Sequence, residues 1–366
     1  MKIFISKILL ASAFIVSISN FAISAEISDS ASQSKANIAI LGVGGTIAGQ
    51  AQSAAQVVGY KAAALSVDDI VKTIPEISSI ANISLCEQIA QIDSKDMTDF
   101  IWLTLAKRVN QLLSQDDIDG VVITHGTDTM EETAYFLNLT VKSDKPVILV
   151  GAMRPNSAIS ADGPRNLYNA VVVAGSKNSK GYGVMVLLND RIFSARTVTK
   201  TNTILPSAFN SIDFGALGYV VENEPKFYNK PVRLHTVDSE FDISKIKILP
   251  KVDIVYSYAG THSDEAVKAF VKFGAKGIIH AGTGDGSIHK STMLSLIEAK
   301  RAGIAIVRST RVAGGIVAKD KNYDDNFGFI SADSLNPQKA KILLQLALTK
   351  YQAKDNKKIQ ELFEKY

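Results

Sequence analysis

Ile38-Ala39-Ile40-Leu41-Gly42-Val43-Gly44-Gly45-Thr46-Ile47-Ala48-Gly49 passes from a short apolar run into a glycine turn that carries a threonine. Such a run bounded by glycine reads as a buried strand, and open α/β sheets gather their ligands beyond the carboxyl ends of their strands. The arrangement returns where Val121-Val122-Ile123-Thr124 leads into His125-Gly126-Thr127-Asp128-Thr129-Met130-Glu131-Glu132. Further strand candidates follow at 147–150 and 184–188. Between them, Met97, Ile101, Leu105, Val109 and Leu112 recur at helical spacing, giving an amphipathic helix that must cover a sheet face. Met130, Ala134 and Leu137 mark another, opened by a Thr129-x-x-Glu132 capping box.

This alternation predicts an α/β fold on a parallel sheet. Around 227–250 the periodicity weakens among Pro225, Pro231 and Pro250, then restarts with strands at 252–256, 278–279 and 304–307 and helices between them. At 366 residues the chain exceeds the size at which one core stops growing. The expected organisation is a larger N-terminal parallel-sheet domain over 37–228, a linker over 229–250 and a smaller C-terminal α/β domain over 251–366.

Ahead of the fold, Lys2 and Lys7 precede an apolar run at 8–18 and small residues ending at Ala25. This reads as a cleaved secretory signal over 1–25, followed by a Ser-, Ala- and Gln-rich leader over 26–36. The run is short for a permanent span, so a periplasmic protein free of the membrane is expected. Its formal charge of +4 falls to +2 once both signal lysines are removed, a balance from which no nucleic-acid or lipid-binding role follows. Cys86 is the only cysteine, so no intrachain disulfide forms, and a lone thiol reads as a small buried hydrophobe. Five histidines without metal-binding spacing predict no metal site. No cofactor is expected.

A threonine hydroxyl needs a base or charged neighbour to act as a nucleophile. Read alone, Thr46 serves more readily as a helix-start cap than as a nucleophile. Gly42-x-Gly44 also begins like a dinucleotide fingerprint, but Ile47 occupies the third glycine's place. Thr127 and Asp128 stand between a strand end and a helix start, where backbone amides meet developing negative charge; the alternative has Asp128 only capping that helix. Lys200, in Thr199-Lys200-Thr201-Asn202-Thr203, offers a base, though spacing alone does not select it among forty Lys and Arg.

Taken together, Gly44–Gly49, Thr124-His125-Gly126-Thr127-Asp128-Thr129-Met130-Glu131-Glu132-Thr133-Ala134, Gly151-Ala152-Met153-Arg154-Pro155, Ser160-Ala161-Asp162-Gly163-Pro164, Thr199-Lys200-Thr201-Asn202-Thr203 and Leu335-Asn336-Pro337-Gln338-Lys339-Ala340 resemble the bacterial type II L-asparaginases. The resemblance covers 37–366. It implies hydrolysis of asparagine to aspartate and ammonia, with the nucleophile at Thr46, a mobile-loop tyrosine at Tyr60 within 50–65, and Thr127, Asp128 and Lys200 as catalytic partners. Thr127 and Asp128 also contact the substrate, Asp128 facing its α-ammonium, while Ser94 helps hold the α-carboxylate. It further implies a homotetramer in which the smaller domain of one subunit, with Ser287 at its edge, completes another's site. Three positions depart from the pattern. Val43 replaces a common threonine. Lys95 stands where glutamine usually touches the substrate's head, and Asn322 where glutamate usually helps bind the ammonium. Both of these make the site more positive, so altered affinity and an open asparagine-to-glutamine ratio are expected. A mixed glutaminase-asparaginase is the nearest alternative; a periplasmic amino-acid-binding protein is the alternative of a different class.

Overall fold

Strands buried on both faces must be apolar throughout, and the central strands obey this. The computed structural model describes residues 34–366; the signal and residues 26–33 of the leader lie outside them. β1 (Ala36–Gly44), β2 (Ala81–Ile92), β3 (Gly120–Thr124), β4 (Val147–Val150) and β5 (Val184–Leu188) run parallel. β6 (Arg191–Ser194) reverses against β5, β7 (Thr199–Lys200) and β8 (Phe209–Asn210) form a separate ribbon, and β9 (Gly218–Val221) and β10 (Glu224–Phe227) complete the large sheet's antiparallel edge. Its order is β10-β9-β6-β5-β4-β3-β1-β2. The chain therefore winds outward in opposite directions from β1 and β3, and the crevice between their carboxyl ends is the switch point.

Short helices α1 (Val67–Lys72) and α2 (Ile77–Ile80) cover one face of that sheet and α3 (Asp99–Leu113) and α4 (Met130–Thr140) the other, while α5 (Gly163–Gly175) joins the first group. Alternation along β1 sorts the contacts: Ile38 and Ile40 pack with Ile70 and Leu167, whereas Ala39 and Leu41 pack with Leu105 and Phe136. The second sheet is wholly parallel, in the order β11 (Val252–Tyr256), β12 (Gly277–Gly282), β13 (Ala305–Thr310), β14 (Ile330–Ser331). Val267 of α6 (Ser263–Lys272) and Leu296 of α7 (Lys290–Arg301) build a cluster of their own on it with Ile306. Helices α8 (Pro337–Ala347) and α9 (Asn356–Lys365) join the opposite face to the cluster that holds Leu41 and Phe136. Phe241, Ile243 and Leu249, from the stretch expected as linker, are buried in the same cluster.

Three local readings change. β1 begins at Ala36, inside the expected leader. Thr129 precedes α4 but forms no side-chain cap, because its hydroxyl donates to the Ser94 carbonyl at 2.8 Å. Cys86 is only half-buried on β2, and burial pushes its thiol up to about 11, far from a reactive thiolate.

His280 on β12 is buried with neither ring nitrogen hydrogen-bonded among the described residues. Burial first, and the Arg308 guanidinium second, hold its pKa down to about 4 from 6.5. Stability from this site is therefore present above 6.5 and is lost as pH falls toward about 4. His280→Leu removes two unpaired polar atoms and the titration together. The variant should melt higher at neutral pH, and its advantage should widen by about 2 kcal/mol near pH ~5. A constant difference across that range would contradict the assignment.

Candidate active site

The site is made by two glycine turns pressed together at the β1/β3 switch point. Gly45 has φ +84°, and a Cβ there would stand 2.2 Å from the Gly126 Cα. Only glycine permits this approach. The Gly45 N–H donates to the Ile92 carbonyl at 2.9 Å, fixing the turn to β2. Thr46 and Thr127, each one residue past its glycine, consequently line one cleft of about 540 Å³ with Tyr60, Asp93, Asp128, Met153, Arg154 and Lys200, a volume suited to a small ligand.

Thr46 opens a three-residue helical turn, Thr46–Ala48, without capping it. Its Oγ1 instead lies 2.6 Å from the Tyr60 hydroxyl. The helix that a dinucleotide site would need directly after β1 is missing, since α1 starts only at Val67. Burial raises the Tyr60 pKa, the Thr46 hydrogen bond opposing it, so the phenol is neutral at ordinary pH. The loop bearing Tyr60 is closed by mutual backbone hydrogen bonds between Gln50 and Lys61 and held at its tip by the Ile159 N–H on the Ala54 carbonyl.

Lys200 joins the second threonine to its neighbour. Its Nζ donates to Thr127 Oγ1 at 2.9 Å and to Asp128 Oδ1 at 2.6 Å. Asp128 is thus an ion-pair partner, not a cap. Asp162 accepts from the Met153 and Arg154 amides, fixing the turn that forms another cleft wall. Ser94 sits behind Gly126 with a buried hydroxyl that has no partner among the described residues, which calls for a ligand or water. His125, fully buried, is held by the Gly126 carbonyl and the Thr133 hydroxyl, and burial drops its pKa to about 4; this neutral ring stiffens the turn.

Two family models match the chain. One, described as asparaginase, N-terminal, matches residues 37–233; the other, the glutaminase/asparaginase C-terminal domain, matches 251–363.

The chain belongs to the asparaginase family.

It is 50% identical over 331 residues to L-asparaginase 2 of Escherichia coli (strain K12), covering 90% of this chain and 93% of that one. It is equally 50% identical, over 333 residues, to a glutaminase-asparaginase of Pseudomonas fluorescens biotype A, covering 90% and 91%. The crystal structure of a probable cytoplasmic L-asparaginase from Campylobacter jejuni superposes with a TM-score of 0.88 at 56% identity, over 91% of this chain and 100% of that one.

Of the asparaginase residues carried over from sequence, the cleft gathers Thr46, Tyr60, Thr127, Asp128 and Lys200. Four others lie off it, the first of them Ser94, buried behind Gly126. Lys95 is exposed, its ammonium 2.5 Å from Asp93 and 3.7 Å from Asp96. Ser287 and Asn322 are exposed in the C-terminal sheet region, Ser287 after β12 and Asn322 in the turn Lys321–Asp325. Asp93, Met153, Arg154, Ile204 and Leu205 line the cleft without having been singled out. Met153 and Arg154 lay inside a recognised motif, and Asp93 beside Ser94.

Proposed function

We propose that the chain hydrolyses L-asparagine to L-aspartate and ammonia through a threonine ester. The observation that carries this is one cleft in which the Thr46 hydroxyl contacts a neutral phenol and the Thr127 hydroxyl contacts an ammonium tied to Asp128. Thr46 Oγ bonds to the side-chain amide carbon while backbone amides of the 126–128 turn hold the oxyanion. The carbon–nitrogen bond breaks, and the hydroxyl proton, passed through Thr127 and Lys200, leaves with ammonia. Water then cleaves the ester, restoring Thr46. Asp128 pairs with the α-ammonium, and the unpaired Ser94 hydroxyl binds the α-carboxylate.

Lys95 acts on this site through Asp93, whose charge it offsets at the cleft wall. Exposed Ser287 and Asn322 support a reading in which a second copy of the chain brings them to the cleft, within a homotetramer. We further propose export to the periplasm, on the charge and apolar pattern of residues 1–25, and division into units over 37–228 and 251–366 joined by 229–250.

Ammonia release from asparagine and glutamine tests the activity. Both amides should turn over, since the relatives include an L-asparaginase and a glutaminase-asparaginase at equal identity. Binding of either amino acid without ammonia release would refute the hydrolytic reading.

A further inference from the structure

We infer that Glu131, Asn336 and Lys339 form a clamp that positions Lys200 and thereby its contact with Thr127; this rests on the acyl-transfer reading above. Lys200 lies on a strand only two residues long. On one side, β7 pairs with β8, Thr199 opposite Asn210 and Lys200 opposite Phe209. On the other side, side chains replace the missing strand. Glu131 Oε2 accepts from the Lys200 N–H and from the Thr199 hydroxyl, each at 2.7 Å. The Lys339 Nζ donates to the Arg196 carbonyl at 3.0 Å and to the Val198 carbonyl.

Asn336 links these two holders. Its Nδ2 donates to Glu131 Oε1 at 2.7 Å, and its Oδ1 accepts the Lys339 N–H at 3.0 Å as the N-cap of α8. Glu131 is 6% exposed and Lys339 2%. No cation lies within ion-pair distance of Glu131 among the described residues, so three neutral donors satisfy its carboxylate. Burial lowers the Lys339 pKa to about 8, Glu131 opposing the fall.

The geometry is that of a reference frame for Lys200. Its backbone is fixed to Glu131 and its Nζ reaches Thr127 and Asp128, so both ends are set against the single segment 127–131. Moving Glu131 tilts the strand that aims the ammonium. The same three residues explain why Leu335-Asn336-Pro337-Gln338-Lys339-Ala340, far from the cleft, belongs with the catalytic motifs.

The test is steady-state ammonia release from L-asparagine by full-length variants. In Glu131→Gln, one face of the carboxamide must set N–H against N–H, either at Asn336 or at Lys200. Asn336→Asp sets two carboxylates face to face. Each should lower kcat by about 10- to 100-fold with KM within about threefold, as misaimed catalytic groups do. The double variant Glu131→Gln with Asn336→Asp restores every donor-acceptor pairing and the net charge. It should return kcat to within about fivefold of the parent. This recovery is the decisive readout, and it stands even if a single variant fails to fold. Single variants with parental kcat, or a folded double variant no better than they are, would overturn the clamp. Parental kcat in Lys200→Met would instead overturn the acyl-transfer reading on which it rests.

Discussion

Thr46→Ala should release ammonia from asparagine on the order of 10⁴-fold more slowly than the parent, or worse, as loss of a nucleophile does elsewhere. The fold should survive. The Thr46 side chain is only half-buried, and among the described residues its hydroxyl hydrogen-bonds to Tyr60 alone. Asp128, Lys200 and Ser94 remain in place, so the variant should still bind asparagine, and calorimetry can separate binding from turnover. No neighbour can substitute. Tyr60 is the nearest hydroxyl, but its raised pKa keeps the phenol protonated and weakly nucleophilic. Mass spectrometry of the parent during turnover should place an aspartyl adduct on the peptide containing Thr46. Activity within tenfold of the parent in Thr46→Ala would remove the nucleophile assignment.

The strands that carry this chemistry were legible because they are buried on both faces. β1, β3, β4 and β5 are short apolar runs, and the glycine turns after β1 and β3 place Thr46 and Thr127 without further information. β2 was not legible. It is the sheet's outer strand, and Asn82, Ser84, Glu87, Gln88 and Gln91 interrupt its apolar residues along a half-exposed face. Lys200 could be chosen only by resemblance, since what fixes it comes from Glu131, Asn336 and Lys339, separated from it by 69, 136 and 139 positions. The capping box at Thr129 was a fair local reading that lost to a tertiary partner, the Ser94 carbonyl. Lys95 shows a related limit. The resemblance implied a substrate contact there, whereas the exposed ammonium pairs with Asp93 and Asp96, and through Asp93 it neighbours the cleft wall.

Lys200→Met should divide kcat from KM. The methionine keeps most of the stem's volume but contacts neither the Thr127 hydroxyl nor the Asp128 carboxylate as a donor. Proton transfer through Thr127 then loses its partner, and kcat should fall by about 10²- to 10⁴-fold. Substrate binding should not weaken to match. In the parent, Asp128 Oδ1 is engaged by Lys200 at 2.6 Å, so the α-ammonium shares the carboxylate with a second cation. Removing that cation gives the substrate sole use of it, and KM should hold or drop. Asp128 is 57% exposed in its side chain, so water screens much of the change and the gain in affinity should stay below about tenfold. The opposite pattern, a raised KM with kcat intact, would make Lys200 a substrate-binding group and transfer the proton route to Tyr60, the hydroxyl that touches Thr46.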